Sequence, residues 1–122
     1  MSRSNLEGYS ILLVEDEPLI AMDIADELEG HGARVHNVPS VDEALTILAS
    51  AAVSAAVLDY RLADGTADEL CQRLTDMGIP FVIYSGYTEV EGVCGKWGVI
   101  RKPAAPNALV GMVIARLQIS SK

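Results

Sequence analysis

Short apolar runs alternate with stretches of helical periodicity along this chain. Ser10 to Val14, Arg34 to Val38, Ala55 to Leu58, Phe81 to Tyr84 and Val99 to Arg101 each read as a strand. After the first, Ile20, Ile24 and Leu28 recur at i, i+4 and i+8. Pro18 suits the first turn of that helix, and Gly30 or Gly32 stops it. Ser40-Val-Asp-Glu43 is a capping box, with Ala44, Leu45 and Leu48 on the helix face behind it. Thr66-Ala-Asp-Glu69 reads as a second capping box, followed by a Leu70, Leu74, Met77 stripe that Gly78 ends. A fourth helix over Glu89 to Lys96 contains Gly92 and Gly95, each costing about 1 kcal/mol against alanine. A short or mobile helix is therefore expected there. Asn107 to Leu117 is the last helix.

Strand and helix alternate five times. Short, almost wholly apolar strands imply a parallel sheet covered on both faces, and crossovers of this length are right-handed. The expected architecture is α/β: a doubly wound, five-stranded parallel sheet of flavodoxin-like order 2-1-3-4-5. It should occupy 9–118, with 1–8 a flexible N-terminus and 119–122 a tail.

Composition narrows the function. The chain has 122 residues, half of them hydrophobic, enough for one domain with its own core. Nine basic residues against seventeen acidic ones give a net charge of −8. No nucleic-acid partner is expected, because phosphate binding needs a basic stripe, and an anionic membrane is disfavoured likewise. The first twenty residues carry Glu7, Glu15, Asp16 and Glu17, so no secretory segment is read there. The longest uncharged run, 44–58, is too short and polar to span a bilayer. Cys71 and Cys94 lack metal or redox spacing and read as free thiols in a reducing compartment, consistent with a cytoplasmic protein.

In an open parallel sheet, ligands bind beyond the carboxyl ends of the strands, at the switch point between strands 1 and 3. Strand 1 runs into Glu15 and Asp16, strand 3 into Asp59, strand 4 into Ser85 and strand 5 into Lys102. Three carboxylates in one cleft repel unless compensated. A hard cation such as Mg2+ provides that compensation with oxygen ligands, and the absence of His or Cys at these ends argues against Zn2+. A carboxylate beside Mg2+ can attack phosphorus, with Lys102 and the Ser85 hydroxyl holding the transferring oxygens. Taken singly, each feature has a plainer reading. Glu15-Asp16-Glu17 before Pro18 suits a helix N-cap, and Asp64-Gly65 marks a turn near Asp59. His31, at a helix C-terminus, reads as a dipole contact.

The segments Ile11-Leu-Leu-Val-Glu-Asp-Glu-Pro18, Val57-Leu-Asp-Tyr-Arg-Leu62 and Ile100-Arg-Lys-Pro103 resemble the receiver domain of bacterial two-component response regulators. Pro80-Phe-Val-Ile-Tyr-Ser-Gly-Tyr87 is similar to single-domain receivers with a Phe-x-x-x-Ser/Thr-Gly-Tyr stretch. The resemblance implies that Asp59 is the phosphoacceptor. Asp16 would be a direct Mg2+ ligand, Glu15 a ligand through water, and the Arg61 backbone carbonyl a further ligand. Ser85 would bind a phosphoryl oxygen and move inward on phosphorylation. Lys102 would pair with the phosphoryl group, and Lys102-Pro103 would be cis. Arg61 and Tyr87 would border the path of the hydrolytic water and slow loss of the phosphoryl group. Val99 stands where the family has an aromatic switch, and Ala104 stands where Phe usually follows Lys-Pro.

The expected function is phosphoryl transfer from a histidine kinase or histidine phosphotransfer protein onto Asp59. A changed protein-binding surface would then signal to a downstream protein, or the chain would act as a phosphate sink. No separate substrate turnover is expected. An aspartyl phosphatase would need a second Asp where Arg61 stands, and a degenerate adaptor would not keep the full Glu15, Asp16, Asp59, Ser85, Lys102 set. The last helix carries Leu109, Val110, Met112, Val113, Ile114 and Leu117 over more than one face. Homodimerisation or partner binding through the fourth helix, fifth strand and last helix is one expectation, and burial of that helix in its own fold the alternative.

Overall fold

A computed structural model describes residues 5–86, 90, 92–96 and 98–120. The chain runs through β1 (Ser10–Val14), α1 (Pro18–Gly30), β2 (Arg34–Val38), α2 (Val41–Ser50), β3 (Ala55–Asp59), β4 (Arg61–Leu62) and β5 (Gly65–Thr66). It continues through α3 (Asp68–Asp76), β6 (Phe81–Ser85), a 3-10 turn (Gly92–Gly95), β7 (Val99–Arg101) and α4 (Pro106–Ser120). Five strands pair in parallel in the order β2-β1-β3-β6-β7. With the small β4–β5 hairpin set aside, this is the 2-1-3-4-5 order of the sequence reading.

The two-residue period of a strand divides the core in two. Ile11, Leu13, Val57, Val82 and Tyr84 face α1 and α4, where Ile24, Leu28, Val113 and Leu117 meet them. Leu12, Val14, Leu58, Phe81 and Ile83 face α2 and α3, against Ala44, Leu48, Leu70 and Leu74. Both faces of the central strands are covered, so their sequences are apolar throughout rather than alternating.

Several expectations shift. On α1 the buried positions are Ala21, Ile24, Ala25 and Leu28, while Ile20 is 38% exposed and Met77, after α3, is 46% exposed. Ser40 caps α2 as expected, its hydroxyl accepting from the Glu43 amide at 3.2 Å. The Thr66–Glu69 capping box is corrected. Thr66 is held in β5 opposite Arg61, its hydroxyl donates to Asp68 at 3.0 Å, and α3 starts after Ala67 without a side-chain cap. Asp64, read only as a turn residue, caps α2 from across the sheet edge. Its two carboxylate oxygens accept from the amides of Val41 at 3.1 Å and Asp42 at 3.3 Å.

The free-thiol reading of the cysteines is also corrected. Cys71 on α3 and Cys94 in the 3-10 turn form a disulfide across 23 residues, their Cα atoms 5.2 Å apart. That spacing suits a bridge, and only the packing of the turn on α3 creates it. The expected fourth helix is reduced to Gly92–Gly95. A Cβ at Gly95 would lie 2.6 Å from the Val90 carbonyl oxygen, so this approach requires glycine. Glu89 and Glu91 of the expected helix lie outside the described residues.

The chain packs earlier than Tyr9. Leu6 is fully buried and its amide donates to the His31 carbonyl at 2.9 Å. Gly32, at φ +96°, permits this contact, since a Cβ there would press on Glu7 at 3.2 Å. His31 Nδ1 sits 3.0 Å from the Glu27 carbonyl at the end of α1. On α4, Leu109, Val110, Val113 and Leu117 are buried, and Met112 and Ile114 pack against the same cluster. Burial in its own fold therefore accounts for the apolar surplus of that helix. Among the described residues no helix is long and apolar enough to cross a membrane.

The amide of Val41, with burial opposing and Asp42 assisting, holds the Asp64 carboxyl below its ordinary 3.8. A depressed folded-state value stabilises above the unfolded one and is lost as pH falls through it. Asp64→Ala should therefore lower the melting midpoint at pH 7, and the gap should narrow on acidification below pH 3.8. A gap independent of pH would contradict the cap. For a loop of this length the disulfide should contribute about 3 kcal/mol. Denaturant melts with and without dithiothreitol measure that difference, and two reactive thiols in the untreated, denatured protein would contradict the bridge.

Candidate phosphoryl and metal site

Parallel pairing brings every strand's carboxyl end to one edge. Val14 is level with Leu58, Asp59 with Tyr84, and Ser85 with Arg101. The residues that follow or end these strands therefore meet. Glu15, Asp16 and Asp59 each offer a carboxylate oxygen within 4.8 Å of the others. Glu15 is 2% and Asp59 5% exposed, whereas Asp16 is exposed. Lys102 reaches back across the edge, its Nζ 3.1 Å from Asp59 Oδ1. Ser85 is buried at 1% exposure, and its carbonyl accepts from the Lys102 amide at 2.8 Å. The Lys102–Pro103 bond is cis, as the family resemblance implied.

Glu15 is fixed at both oxygens. Oε2 accepts from the Glu17 amide at 2.9 Å, and Oε1 accepts from the Tyr84 hydroxyl. Burial pushes the Glu15 carboxyl above its ordinary value, the hydrogen bonds from Tyr84 and Glu17 pull it back, Asp59 adds to the rise and Lys102 opposes it. Burial likewise pushes the Tyr84 phenol up, reinforced by its bond to Glu15 and by the charges of Glu15, Asp59 and Asp16. Tyr84 therefore remains a donor. Its ring lies under the Lys102 ammonium, 5.0 Å from Nζ to centroid.

The donor set suits a hard divalent cation. All three side chains present oxygen, and Asp16 opens the cluster to water. Opposite oxygens around Mg2+ stand about 4.2 Å apart, twice the usual bond length, so small side-chain movements bring this trio into range. Imidazole and thiolate are absent from the trio, which separates it from zinc sites.

The structure thus gathers Glu15, Asp16, Asp59, Ser85 and Lys102. Arg61 starts β4 two residues beyond Asp59, with its side chain exposed. Tyr87 lies outside the described residues. Val99 is half-buried against the α2–α3 cluster. Tyr84 was missed by the sequence reading, although a signal existed. A tyrosine inside an aliphatic buried strand must find a partner for its hydroxyl, and strand alternation turns it away from Ser85 towards the Glu15 side.

Comparison with known proteins matches this geometry. The family model described as response regulator receiver domain matches residues 11–114. The chain is 29% identical over 114 residues to the DNA-binding response regulator MtrA of Mycolicibacterium smegmatis, covering 88% of this chain and 50% of that protein. It is 37% identical over 86 residues to the phyllosphere-induced regulator PhyR of Methylorubrum extorquens, covering 65% of this chain and 31% of that protein. It spans half or less of these curated relatives. Among solved structures, SdrG from Sphingomonas melonis Fr1 superposes at a TM-score of 0.76 with 32% identity, covering 94% of this chain and 98% of that one. A CheY-like receiver from Methanospirillum hungatei JF-1 superposes at 0.83 with 23% identity, covering 93% and 96%. Strand order, the acidic trio, the lysine on Asp59 and the family match agree: the chain belongs to the response regulator receiver domain family.

Proposed function

We propose that this chain is a phosphoreceiver that takes a phosphoryl group from a partner phosphohistidine onto Asp59. Receiver domains are signalling domains rather than substrate-turnover enzymes. The observation that carries the proposal is the Lys102 ammonium 3.1 Å from Asp59, beside the Glu15–Asp16–Asp59 cluster. An Asp59 oxygen attacks phosphorus, forming an O–P bond as the P–N bond breaks. The bonding pair returns to the imidazole nitrogen. Lys102 then transfers its contact from the carboxylate to a phosphoryl oxygen, and the Ser85 hydroxyl donates to another. Mg2+, when bound, offsets charge on the carboxylates and the transferring oxygens. Glu15, Asp16, Asp59 and the Arg61 backbone carbonyl would hold it.

Movement at Ser85 has a route outward. Its carbonyl holds the Lys102 amide, and β6 is paired with β7. A shift of Ser85 towards the phosphoryl group therefore pulls on β7 and alters the surface beside it. Arg61 and Tyr87 border the approach of hydrolytic water and set how long the signal lasts. On α1, Leu19 and Met22 are 73% and 53% exposed, close in sequence to Asp16. They give the histidine-bearing partner, a kinase or phosphotransfer protein, an apolar surface beside the acidic trio. DNA binding is named for MtrA. For this chain the proposed output is protein contact or service as a phosphate sink.

Incubation with a small acyl phosphate and Mg2+, followed by intact-mass measurement, tests the proposal. One phosphoryl group should be added to the wild type and none to Asp59→Asn. Donor turnover without an adduct would instead support an enzyme, and no reaction an adaptor. Metal binding has its own test. Mg2+ at about 100 times its dissociation constant should add roughly 2.7 kcal/mol of stability to the folded state. Melts in Mg2+ against EDTA should differ for the wild type and coincide for Asp16→Ala; coinciding wild-type melts would remove the metal site.

A further inference from the structure

Tyr84 touches both ends of the site without belonging to the expected set. Its hydroxyl donates to Glu15 Oε1, and the Lys102 ammonium stands over its ring at 5.0 Å. The side chain is 2% exposed and sits in the core cluster between β6 and α1. It therefore has little freedom to move independently of the sheet. Among the described residues, the donors to Glu15 are the backbone of Glu17 and this hydroxyl. Lys102, a flexible chain, is steered by Asp59 at one side and the ring at another.

We infer that Tyr84 is a positioning residue, holding Glu15 and Lys102 at fixed spacing so that metal and phosphoryl group are met by a preformed pair. The inference rests on the phosphoreceiver reading and names a residue through which that site is built. A carboxylate that must meet Mg2+, directly or through water, is oriented by whatever hydrogen bonds its other oxygen. An ammonium over an aromatic face keeps its charge while losing few hydration contacts, so the ring defines where it waits. Val99, half-buried on the opposite face, cannot supply either contact. A plain core tyrosine would explain the burial and the hydroxyl partner, but would have no effect on the site beyond stability.

Tyr84→Phe separates the two readings, because it keeps the ring, the packing and the Lys102 contact while deleting the hydroxyl. Calorimetric titration of the full chain with Mg2+ should show a dissociation constant raised about 10-fold, the lower range for removing a partner behind a metal-site carboxylate. The near-ultraviolet tyrosine difference signal on adding Mg2+ should be present in the wild type and lost in the variant. Tyr84→Leu, which removes the ring too, should also raise the acyl phosphate concentration needed for half-maximal phosphorylation above that of Tyr84→Phe. Should Tyr84→Leu fail to fold, the Phe variant alone decides. An unchanged Mg2+ dissociation constant in Tyr84→Phe, with only a lower melting midpoint, overturns the inference and leaves the phosphoreceiver reading standing. A wild type that binds no Mg2+ overturns both.

Discussion

Like charge at a shared sheet edge is the constraint on which this molecule is organised. Parallel strands must deliver their carboxyl ends together, and here β1 and β3 deliver Glu15, Asp16 and Asp59 within 4.8 Å. Unit charges a few ångströms apart repel by about 4 kcal/mol at the effective dielectric of a protein surface. The fold answers with one ammonium, Lys102, delivered beyond β7, and with hydrogen bonds from Tyr84 and the Glu17 backbone. The compensation is incomplete, since the Glu15 carboxyl remains above its ordinary value through burial and the nearby Asp59 charge. The trio that remains is one whose oxygens could hold a divalent cation.

The two halves of the core serve this edge differently. The α1–α4 side carries Tyr84 and positions the acidic and basic ends of the site from below. The α2–α3 side fixes its own outer elements by longer-range ties: Asp64 caps α2 from 23 residues away, and the Cys71–Cys94 bridge joins α3 to the 3-10 turn. The bridge ties the 3-10 turn Gly92–Gly95 to α3. That turn is thus anchored to a helix, and β7, which follows it, is paired to the Ser85 strand.

Much of this was legible in the sequence because it is local or periodic. Continuous apolar runs marked both-faces-covered strands, and polar residues at their ends marked the site. Ser40 and Glu43 announced the start of α2. What escaped detection depends on contacts distant in sequence. Asp64 looked like a turn residue because its partners, the Val41 and Asp42 amides, are visible only once β3 and α2 are packed. The thiol pair has no motif spacing, and its 5.2 Å approach is made by tertiary structure alone. Thr66 satisfied the capping pattern but was claimed by the β4–β5 hairpin. The apolar surplus of α4 left an interface and burial both open because sequence does not reveal how deeply a helix sits; Met112 and Ile114 pack on the core.

Five residues from four strand ends are proposed to form one phosphoryl site. Beryllofluoride with Mg2+, a stand-in for the phosphoryl group, can be titrated into isotope-labelled protein and followed by amide NMR. Signals of Glu15, Asp16, Asp59, Ser85 and Lys102 should shift together with a single midpoint, and Asp59→Asn should abolish all of them. Shifts confined to the acidic residues, with Ser85 and Lys102 unmoved, would contradict the claim.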